Sequence, residues 1–239
     1  MSQWKQVTAY LFFTFLTCYA QAQTATVVFF KGGMDAVLSE IGDDLLLGSR
    51  PFTSLLKGEV ANWSQYQSVC QKIAADPQRG QVILAGHSFG SHAAIATARC
   101  LQQHGNIPVN LLITIDTIPS AGIEGSSSII SNNVVKNFNF FQSRDLMLNG
   151  VQNNVRENGS RTNIHSRRIS FWGISPHSAI DNRVSLLSQV IIQASLRGCL
   201  NNIRFAGDDN QPSESPSISS SDIQNRSQII QKIIPNSCL

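Results

Sequence analysis

The chain has 239 residues, of which 42% are hydrophobic and 14% are charged. This balance excludes an intrinsically disordered chain, which combines low hydrophobicity with a high net charge. The formal net charge is only +3, and so small an excess without a basic run argues against nucleic acid as a partner.

The first 22 residues predict a secretory signal peptide. Lys5 gives this segment a positive charge, and the apolar run Leu11–Leu16 is shorter than the roughly 20 residues of a membrane span. Ala-Gln-Ala at positions 20–22 is a cleavage pattern. We therefore expect cleavage after Ala22 and a secreted or periplasmic product; the alternative is an uncleaved N-terminal anchor.

Four of the five cysteines follow the predicted cleavage site. An exported chain with four cysteines is expected to form two disulfides, and three connectivities are open. We favour Cys70–Cys100 and Cys199–Cys238; the alternative is four buried free thiols. No C-x-x-C pair or Cys/His cluster has the spacing of metal ligands, so we expect neither a metal nor a cofactor.

The first predicted strand is Thr26–Phe30, a β-branched and aromatic run that ends at Lys31-Gly32-Gly33. Asp35 is the predicted cap of a helix after this turn. A weaker strand is predicted over residues 51–57, and Asn62 is the predicted N-cap of the next helix.

The strongest strand signal is Gln81–Ala85, which is followed after a short turn by a predicted helix, Ser91–Gln103. The later predicted elements are the strands Val109–Ile115, Val134–Phe141 and Arg168–Trp172 and the helix Ser178–Arg197. Strands separated by helices indicate the α/β class, with a doubly wound, mostly parallel sheet and helices on both faces. Ligand sites in such sheets lie at the carboxyl ends of the strands.

We expect this α/β domain to span residues 23–205, after the signal peptide at 1–22. A tail follows at 206–239. It contains the Ser-rich segment Pro212–Ser221, which predicts a flexible linker, and then a predicted short helix, Asp222–Ile234.

The pentapeptide Gly86-His87-Ser88-Phe89-Gly90 has the pattern G-x-S-x-G and lies between a predicted strand and a predicted helix. In that context the motif forms a sharp turn that presents the central hydroxyl above the sheet. The N-terminus of the helix favours negative charge at the same point. Ser88 is therefore the candidate nucleophile; the alternative is a glycine-rich turn with an idle serine.

A serine nucleophile needs a general base, and the chain has five histidines. His177 is the candidate because it follows the predicted strand Arg168–Trp172, in a loop at the carboxyl edge of the sheet; the alternative is a surface-loop histidine. The other four are interpreted as a residue pointing away from Ser88 (His87), a packing residue (His92), a helix-end residue (His104) and a residue on the wrong side of the sheet (His165).

Asp116 is the candidate orienting acid, because it ends the strand expected to neighbour the strand of the nucleophile. A carboxylate at that edge accepts the Nδ1–H of the base and fixes its tautomer. Asp145, one predicted strand further out, is the runner-up, and Asp181 in the last predicted helix is a third alternative. The chain order serine, aspartate, histidine matches one of the known triad orders.

The tetrahedral oxyanion of acyl transfer needs two N–H donors. The Phe89 N–H is one candidate, and the other is the N–H of Gly33 or Met34 in the loop after the first strand. The alternative for this loop is a plain Gly-Gly turn.

These features together resemble the α/β-hydrolase superfamily over about residues 25–198, and within it the small secreted lipases and esterases. The GHSFG turn is also similar to that of thioesterases. The resemblance implies ester cleavage through an acyl-enzyme, with Ser88 as nucleophile, His177 as base and Asp116 as acid. It departs from many family members in lacking a His-Gly-Gly-Gly loop and a large cap domain; residues 119–133 are where a short lid fits.

The sequence therefore predicts a secreted serine hydrolase of carboxylic esters, with residues 23–205 as its catalytic domain. Alternatives on the same fold are a serine peptidase, a thioesterase and an acyltransferase, and a further one is a catalytically inactive binding protein. We expect a small-molecule or lipid ester as substrate, at most transient contact with a lipid surface, no nucleic acid and a monomer.

Overall fold

The structure is a computed structural model, and it describes residues 24–33, 56–118, 128–143, 150–170, 176–203 and 217–219. The predicted signal peptide, the helix capped by Asp35 and the tail helix Asp222–Ile234 lie outside the described residues. Among the described helices, none has the length and apolar character that crossing a membrane requires.

The described strands form one seven-stranded sheet with parallel pairings throughout, and a separate two-stranded pair. The strands are β1 (Ala25–Lys31), β2 (Leu56–Asn62), β3 (Gln81–His87), β4 (Val109–Ile115), β5 (Ile129–Ile130), β6 (Val134–Phe141), β7 (Val155–Arg156), β8 (Asn163–Ser170) and β9 (Ser217–Ser219). The order in the large sheet is β2-β1-β3-β4-β6-β8-β9, and β5 pairs with β7.

Helices cover both faces of the sheet. The described α-helices are α1 (Tyr66–Ala75), α2 (Phe89–Gln103) and α3 (Pro176–Leu196). Val27 and Phe29 of β1 pack in the same core as α3, whereas Val28 and Phe30 pack in the core formed with α1 and α2. A strand buried on both faces is a continuous apolar run, which is the pattern that predicted β1. The predicted doubly wound α/β architecture is confirmed.

The strand order places a topological switch point at β1, which lies between β2 and β3. Ligand sites of parallel sheets form at such a point, beyond the carboxyl ends of the strands. The register pairs Phe30 of β1 with Gly86 of β3, so the two strands end side by side. Gly33 follows β1 and Ser88 follows β3 at this edge.

A disulfide joins Cys70 of α1 to Cys100 of α2 and confirms that predicted pairing. Cys199 is also disulfide-bonded. Its predicted partner, Cys238, lies outside the described residues, so the second pairing stays a prediction.

The region around β2 differs from its prediction. The strand covers Leu56–Asn62 and overlaps the predicted range 51–57 only at its start, because its exposed residues give no apolar pattern. The predicted N-cap is confirmed: the Asn62 side chain accepts the Ser64 N–H at 3.1 Å, and Gln65 Oε1 accepts the Asn62 N–H at 2.7 Å. This capping box begins a short 3₁₀ turn, Trp63–Gln65, that leads into α1.

Two boundaries near the last helix were predicted wrongly. β8 begins at Asn163, before the predicted start at Arg168, because its polar and basic side chains hide the strand pattern; the predicted end at Trp172 lies outside the described residues. α3 begins at Pro176, before the predicted start at Ser178. Proline suits the first turn of a helix, since its missing N–H has no intrahelical partner there.

Two short strands lie where the sequence predicted loops. Ser217–Ser219 of the Ser-rich linker forms β9 and pairs with the edge of β8. Ile129–Ile130 of the predicted lid region forms β5, while residues 119–127 lie outside the described part of the chain. Strands of two or three residues are too short to show an alternating hydrophobic pattern in the sequence. They form because a neighbouring strand supplies their hydrogen bonds.

Candidate active site

Ser88 occupies the sharp turn between β3 and α2, with φ of 55° and ψ of −121°. A backbone conformation of this kind costs an L-residue about 1–3 kcal/mol, so the surrounding structure must impose it. A Cβ on Gly86 would lie 2.2 Å from the Gly90 carbonyl oxygen, and a Cβ on Gly90 would lie 1.9 Å from the Phe30 carbonyl oxygen. The turn therefore closes only because both flanking residues are glycine.

Hydrogen bonds join the turn to the end of β4. The Ser88 N–H donates to the Ile115 carbonyl oxygen at 2.9 Å. Ser91 Oγ lies 2.6 Å from the Gly86 carbonyl oxygen and accepts the Ile115 N–H at 3.0 Å. Because Ile115 immediately precedes Asp116, these hydrogen bonds fix the distance between the turn that contains Ser88 and the segment that contains Asp116.

Asp116 follows β4 and is completely buried. A buried carboxylate needs hydrogen-bond donors to offset its lost hydration. Gln142 supplies two: its backbone N–H donates to Oδ1 at 3.0 Å, and its side-chain Nε2 donates to Oδ2 at 2.9 Å. A Cβ on Gly150 would lie 1.9 Å from Oδ1, so the main chain at Gly150 packs directly against the carboxylate.

His177 connects the aspartate to the serine. Its Nδ1 lies 2.7 Å from Asp116 Oδ2, and its Nε2 lies 2.9 Å from Ser88 Oγ. Since the carboxylate can only accept, Nδ1 carries the proton, and Nε2 of the neutral ring accepts the serine hydroxyl. The structure therefore brings the three predicted residues into one hydrogen-bonded row, in which the exposed fractions are 5% for Ser88, 0% for Asp116 and 8% for His177.

His177 lies in the first turn of α3 rather than in the predicted loop. His177 still lies at the carboxyl edge of the sheet, because α3 begins there. Of the alternative acids, Asp145 lies outside the described residues, and the side chain of Asp181 is not among those described. Asp116 is the carboxylate that contacts the base in the part of the chain that the structure describes.

The predicted oxyanion loop lies beside Phe89, the residue that follows Ser88. A Cβ on Gly33 would lie 2.9 Å from Phe89 Cδ2, so the main chain after β1 contacts the side chain of the residue after Ser88. Phe89 is the first residue of α2, where N–H groups have no partner within the helix. Met34 lies outside the described residues, and the choice between Gly33 and Met34 stays open.

The sequence predicted that His87 points away from Ser88 and predicted no partner for it. In the structure its Nε2 lies 3.0 Å from the backbone carbonyl oxygen of His177. The two imidazole rings are 4.9 Å apart, centroid to centroid. The motif alone could not reveal this contact, because the partner lies 90 residues away in the chain.

His92 packs as predicted on α2, where its Nε2 contacts the Ile118 carbonyl oxygen. Burial lowers the pKa of His92. His104 is the C-cap of α2, also as predicted. Both residues therefore have structural positions outside the hydrogen-bonded row.

His165 lies within β8, not before a strand as predicted, and its ring stacks on Phe138 at 5.1 Å. Burial, and then the nearby positive charges of Lys136 and Arg167, lower the pKa of His165 to about 4. Burial also lowers the pKa of Lys136 to about 8, and its Nζ donates to the Leu200 carbonyl oxygen at 2.8 Å. These groups lie on β6 and β8, away from Ser88.

One cluster in the described residues has the composition of a metal site: Cys70, Cys100 and His104. The two sulfur atoms are joined in a disulfide, so neither can act as a thiolate ligand. The cluster is therefore assigned to the disulfide rather than to a metal.

No family model matches the chain, and no curated protein matches it. Several solved structures are similar to the chain, among them the following three. A cutinase-like protein from Cryptococcus sp. is 13% identical with a TM-score of 0.43, covering 74% of this chain and 97% of its own. The RedJ thioesterase of the prodiginine biosynthetic pathway in Streptomyces coelicolor is 11% identical with a TM-score of 0.42, covering 70% of this chain and 85% of its own.

The third structure is a protein from Xanthomonas campestris pv. campestris assigned to the alpha/beta hydrolase superfamily. It is 12% identical with a TM-score of 0.36, covering 73% of this chain and 99% of its own. At these scores the comparisons carry no argument about chemistry. The parallel sheet with a strand–serine turn–helix unit at its centre identifies the architecture as the α/β-hydrolase type, from the chain's own topology.

Proposed function

We propose that the protein is an exported serine hydrolase that cleaves carboxylic esters through an acyl-enzyme on Ser88. One observation carries the proposal: the row of hydrogen bonds from Ser88 Oγ through His177 to Asp116, with heavy-atom distances of 2.9 and 2.7 Å. His177 lies 89 positions from Ser88 and 61 positions from Asp116 in the chain. A row of this kind is the arrangement that general-base catalysis by a serine hydrolase requires.

In the first half of the reaction, Ser88 Oγ attacks the acyl carbonyl carbon while His177 Nε2 takes the hydroxyl proton. The ring becomes an imidazolium, and the Asp116 carboxylate stabilises its positive charge through the Nδ1–H bond. The carbonyl oxygen becomes an oxyanion, which the Phe89 N–H and the N–H of Gly33 or Met34 stabilise. Loss of one such donor typically costs about 3–4 kcal/mol of transition-state stabilisation.

In the second half, His177 Nε2 returns the proton to the leaving alcohol as the tetrahedral intermediate collapses. The acyl group is then an ester of Ser88. A water molecule attacks this ester, again with His177 as the base, and forms a second tetrahedral intermediate. Collapse of that intermediate releases the carboxylic acid, and His177 returns the proton to the serine oxygen. No cofactor or metal takes part in these steps.

Burial makes the pair of His177 and Asp116 effective. Charge–charge and hydrogen-bond interactions are stronger in a poorly solvated environment, and Asp116 has no contact with solvent. The donors from Gln142 keep this carboxylate in one orientation before substrate binds. The imidazolium therefore forms beside a negative charge that needs no reorganisation.

The test combines labelling with turnover. The wild-type protein should react with a fluorophosphonate probe and hydrolyse p-nitrophenyl esters, whereas S88A should lose the label and H177A and D116N should lose most of the ester turnover. A replacement of a triad aspartate by asparagine typically lowers kcat about 10⁴-fold. Unchanged turnover in S88A, measured on protein with an unchanged far-ultraviolet dichroism spectrum, would remove the proposal.

The substrate class is tested on matched compounds that share one acyl group. Hydrolysis of the oxygen ester should exceed that of the thioester and of the amide, and added alcohol should not divert the acyl group from water. The proposed substrate is either a lipid ester or a small soluble ester. Rates of hydrolysis measured over esters of graded acyl-chain length distinguish these two classes. The proposed monomer is tested on the same sample by its sedimentation velocity.

Export is part of the proposal, and two features support it. The Ala-Gln-Ala pattern at positions 20–22 follows a short apolar run, and the Cys70–Cys100 disulfide suits an oxidising compartment. The exported product should begin at Gln23 in N-terminal sequencing, and A22R should accumulate uncleaved precursor. Recovery of active protein that retains Met1 would contradict this part.

A further inference from the structure

His87 is the last residue of β3 and immediately precedes Ser88, and its side chain is buried. Ile83 and Ala85 of the same strand pack in the core shared with α3. Because side chains alternate along a strand, His87 lies on that same side. Its ring is therefore directed to the helix that carries the proposed base.

The hydrogen bond of His87 ends on the main chain of His177 itself. The two atoms, Nε2 and the carbonyl oxygen, are 3.0 Å apart. A carbonyl oxygen can only accept, so His87 Nε2 carries a proton and donates. The ring also contacts the ring of His177, with centroids 4.9 Å apart and planes inclined by 32°.

The dipeptide His87-Ser88 thus contacts residue 177 at two points. Ser88 Oγ meets the imidazole Nε2, and His87 Nε2 meets the backbone carbonyl. The bond from Asp116 acts on the ring, so it controls the orientation of the imidazole and not the position of the helix end. The side chain of His87 therefore joins β3, the strand before Ser88, to the main chain of His177 at the start of α3.

We infer that His87 is a positioning residue that sets the Ser88–His177 distance by holding the first turn of α3 against the nucleophile turn. The inference rests on the proposed function. A displacement of about 1 Å in a catalytic constellation can lower the rate by up to about 10²-fold. The contact is therefore expected to act on the chemical step rather than on substrate affinity.

Three variants test the inference. H87F keeps a buried ring but removes the donor, while H87Q keeps an N–H donor near the position of Nε2. H165F is the control, since it makes the same change at a half-buried histidine of β8. That strand lies three strand positions from β3, which is about 14 Å in a parallel sheet. Each variant is assayed for kcat, KM, the rate of fluorophosphonate labelling and Tm.

H87F should lower kcat and the labelling rate about 10- to 100-fold with KM within twofold of wild type. H87Q should recover kcat to within about fivefold, and H165F should keep wild-type kcat. The NMR signal of the His177 Nδ1 proton should broaden or shift in H87F and return in H87Q. The split between kcat and KM separates positioning from a general loss of structure, which would lower Tm and leave H87Q unrepaired.

Wild-type kcat in a folded H87F would overturn the inference, as would an equal loss in H87F and H87Q. Failure of the proposed function is distinguishable from these outcomes, because it appears in wild-type protein: the probe would not label it, or S88A would retain turnover. A labelled wild type together with an unaffected H87F removes only the role of His87.

Discussion

The environment of Asp116 gives the sharpest mutational prediction. The carboxylate accepts from the Gln142 backbone N–H, from Gln142 Nε2 and from His177 Nδ1. Gln142→Leu removes the second of these donors and leaves the backbone donor in place. Oδ2 then keeps His177 Nδ1 as its described partner, and the carboxylate loses one of the hydrogen bonds that orient it toward His177.

The expected loss follows from the energy of that bond. A hydrogen bond to a charged group contributes about 1.5–3 kcal/mol, and each 1.36 kcal/mol of activation free energy changes a rate tenfold. Expressed wholly in the transition state, the change lowers kcat about 10- to 150-fold. This is less than the loss of about 10⁴-fold typical for replacing the triad aspartate by asparagine, because the carboxylate itself remains.

The assay is steady-state hydrolysis of a p-nitrophenyl ester, with Tm measured on the same sample. Gln142→Glu is the companion variant: it keeps the shape of the side chain but places a second carboxylate against Asp116 Oδ2. Two acidic groups in contact cannot both ionise freely, so we expect a larger loss than in Gln142→Leu. Wild-type kcat in both variants would refute the reasoning that Gln142 orients the acid.

Three further predictions concern packing, pH and the disulfide. Gly150→Ala should abolish turnover, because its Cβ would lie 1.9 Å from Asp116 Oδ1 and displace the carboxylate; the ester assay checks this. The free energy of unfolding should rise with pH between about 4 and 6.5, because burial keeps His165 unprotonated in the folded protein over a range in which the unfolded chain binds a proton; urea titrations across this range measure the slope. Cys70→Ala with Cys100→Ala should lower the free energy of unfolding by about 3.5 kcal/mol, as expected for a cross-link over 30 residues; urea midpoints give the value.

Controls make these three results decisive. Gly159→Ala places a Cβ that meets no atom within 4 Å, but its φ of 79° strains an alanine, so this control should lower Tm and retain turnover. His165→Phe should flatten the pH slope, and an unchanged slope would assign it to another group. A reductant should reproduce the effect of the double cysteine variant, whereas equal stability with and without the disulfide would contradict the chain-entropy account.

The central strands were predictable from sequence because of where they lie. β4 and β6 have the predicted boundaries, and both are flanked by strands: β4 is an apolar run, and β6 has apolar residues at both of its ends. β8 lies further from the centre, and its sequence NIHSRRIS reads as polar. Hydrophobic pattern therefore predicted the middle of the sheet and failed toward both edges, where residues of β2 and side chains such as Arg168 of β8 are exposed.

The three residues of the hydrogen-bonded row were predictable because each follows from a local rule. Ser88 lies in a motif with a fixed geometry, Asp116 follows a buried strand, and His177 comes soon after the predicted strand Arg168–Trp172. The residues that hold them have no such signal. Gln142 lies 26 positions from Asp116, and His87 lies 90 positions from its partner, so only the folded chain shows that they meet.

The most direct test of the central claim is the site of the covalent adduct. The wild-type protein is incubated with a fluorophosphonate, digested, and analysed by mass spectrometry. The account predicts one adduct, on the Ser88 hydroxyl, which forms much more slowly in H177A and is absent in S88A. An adduct on another residue, or labelling of H177A at the wild-type rate, would contradict it.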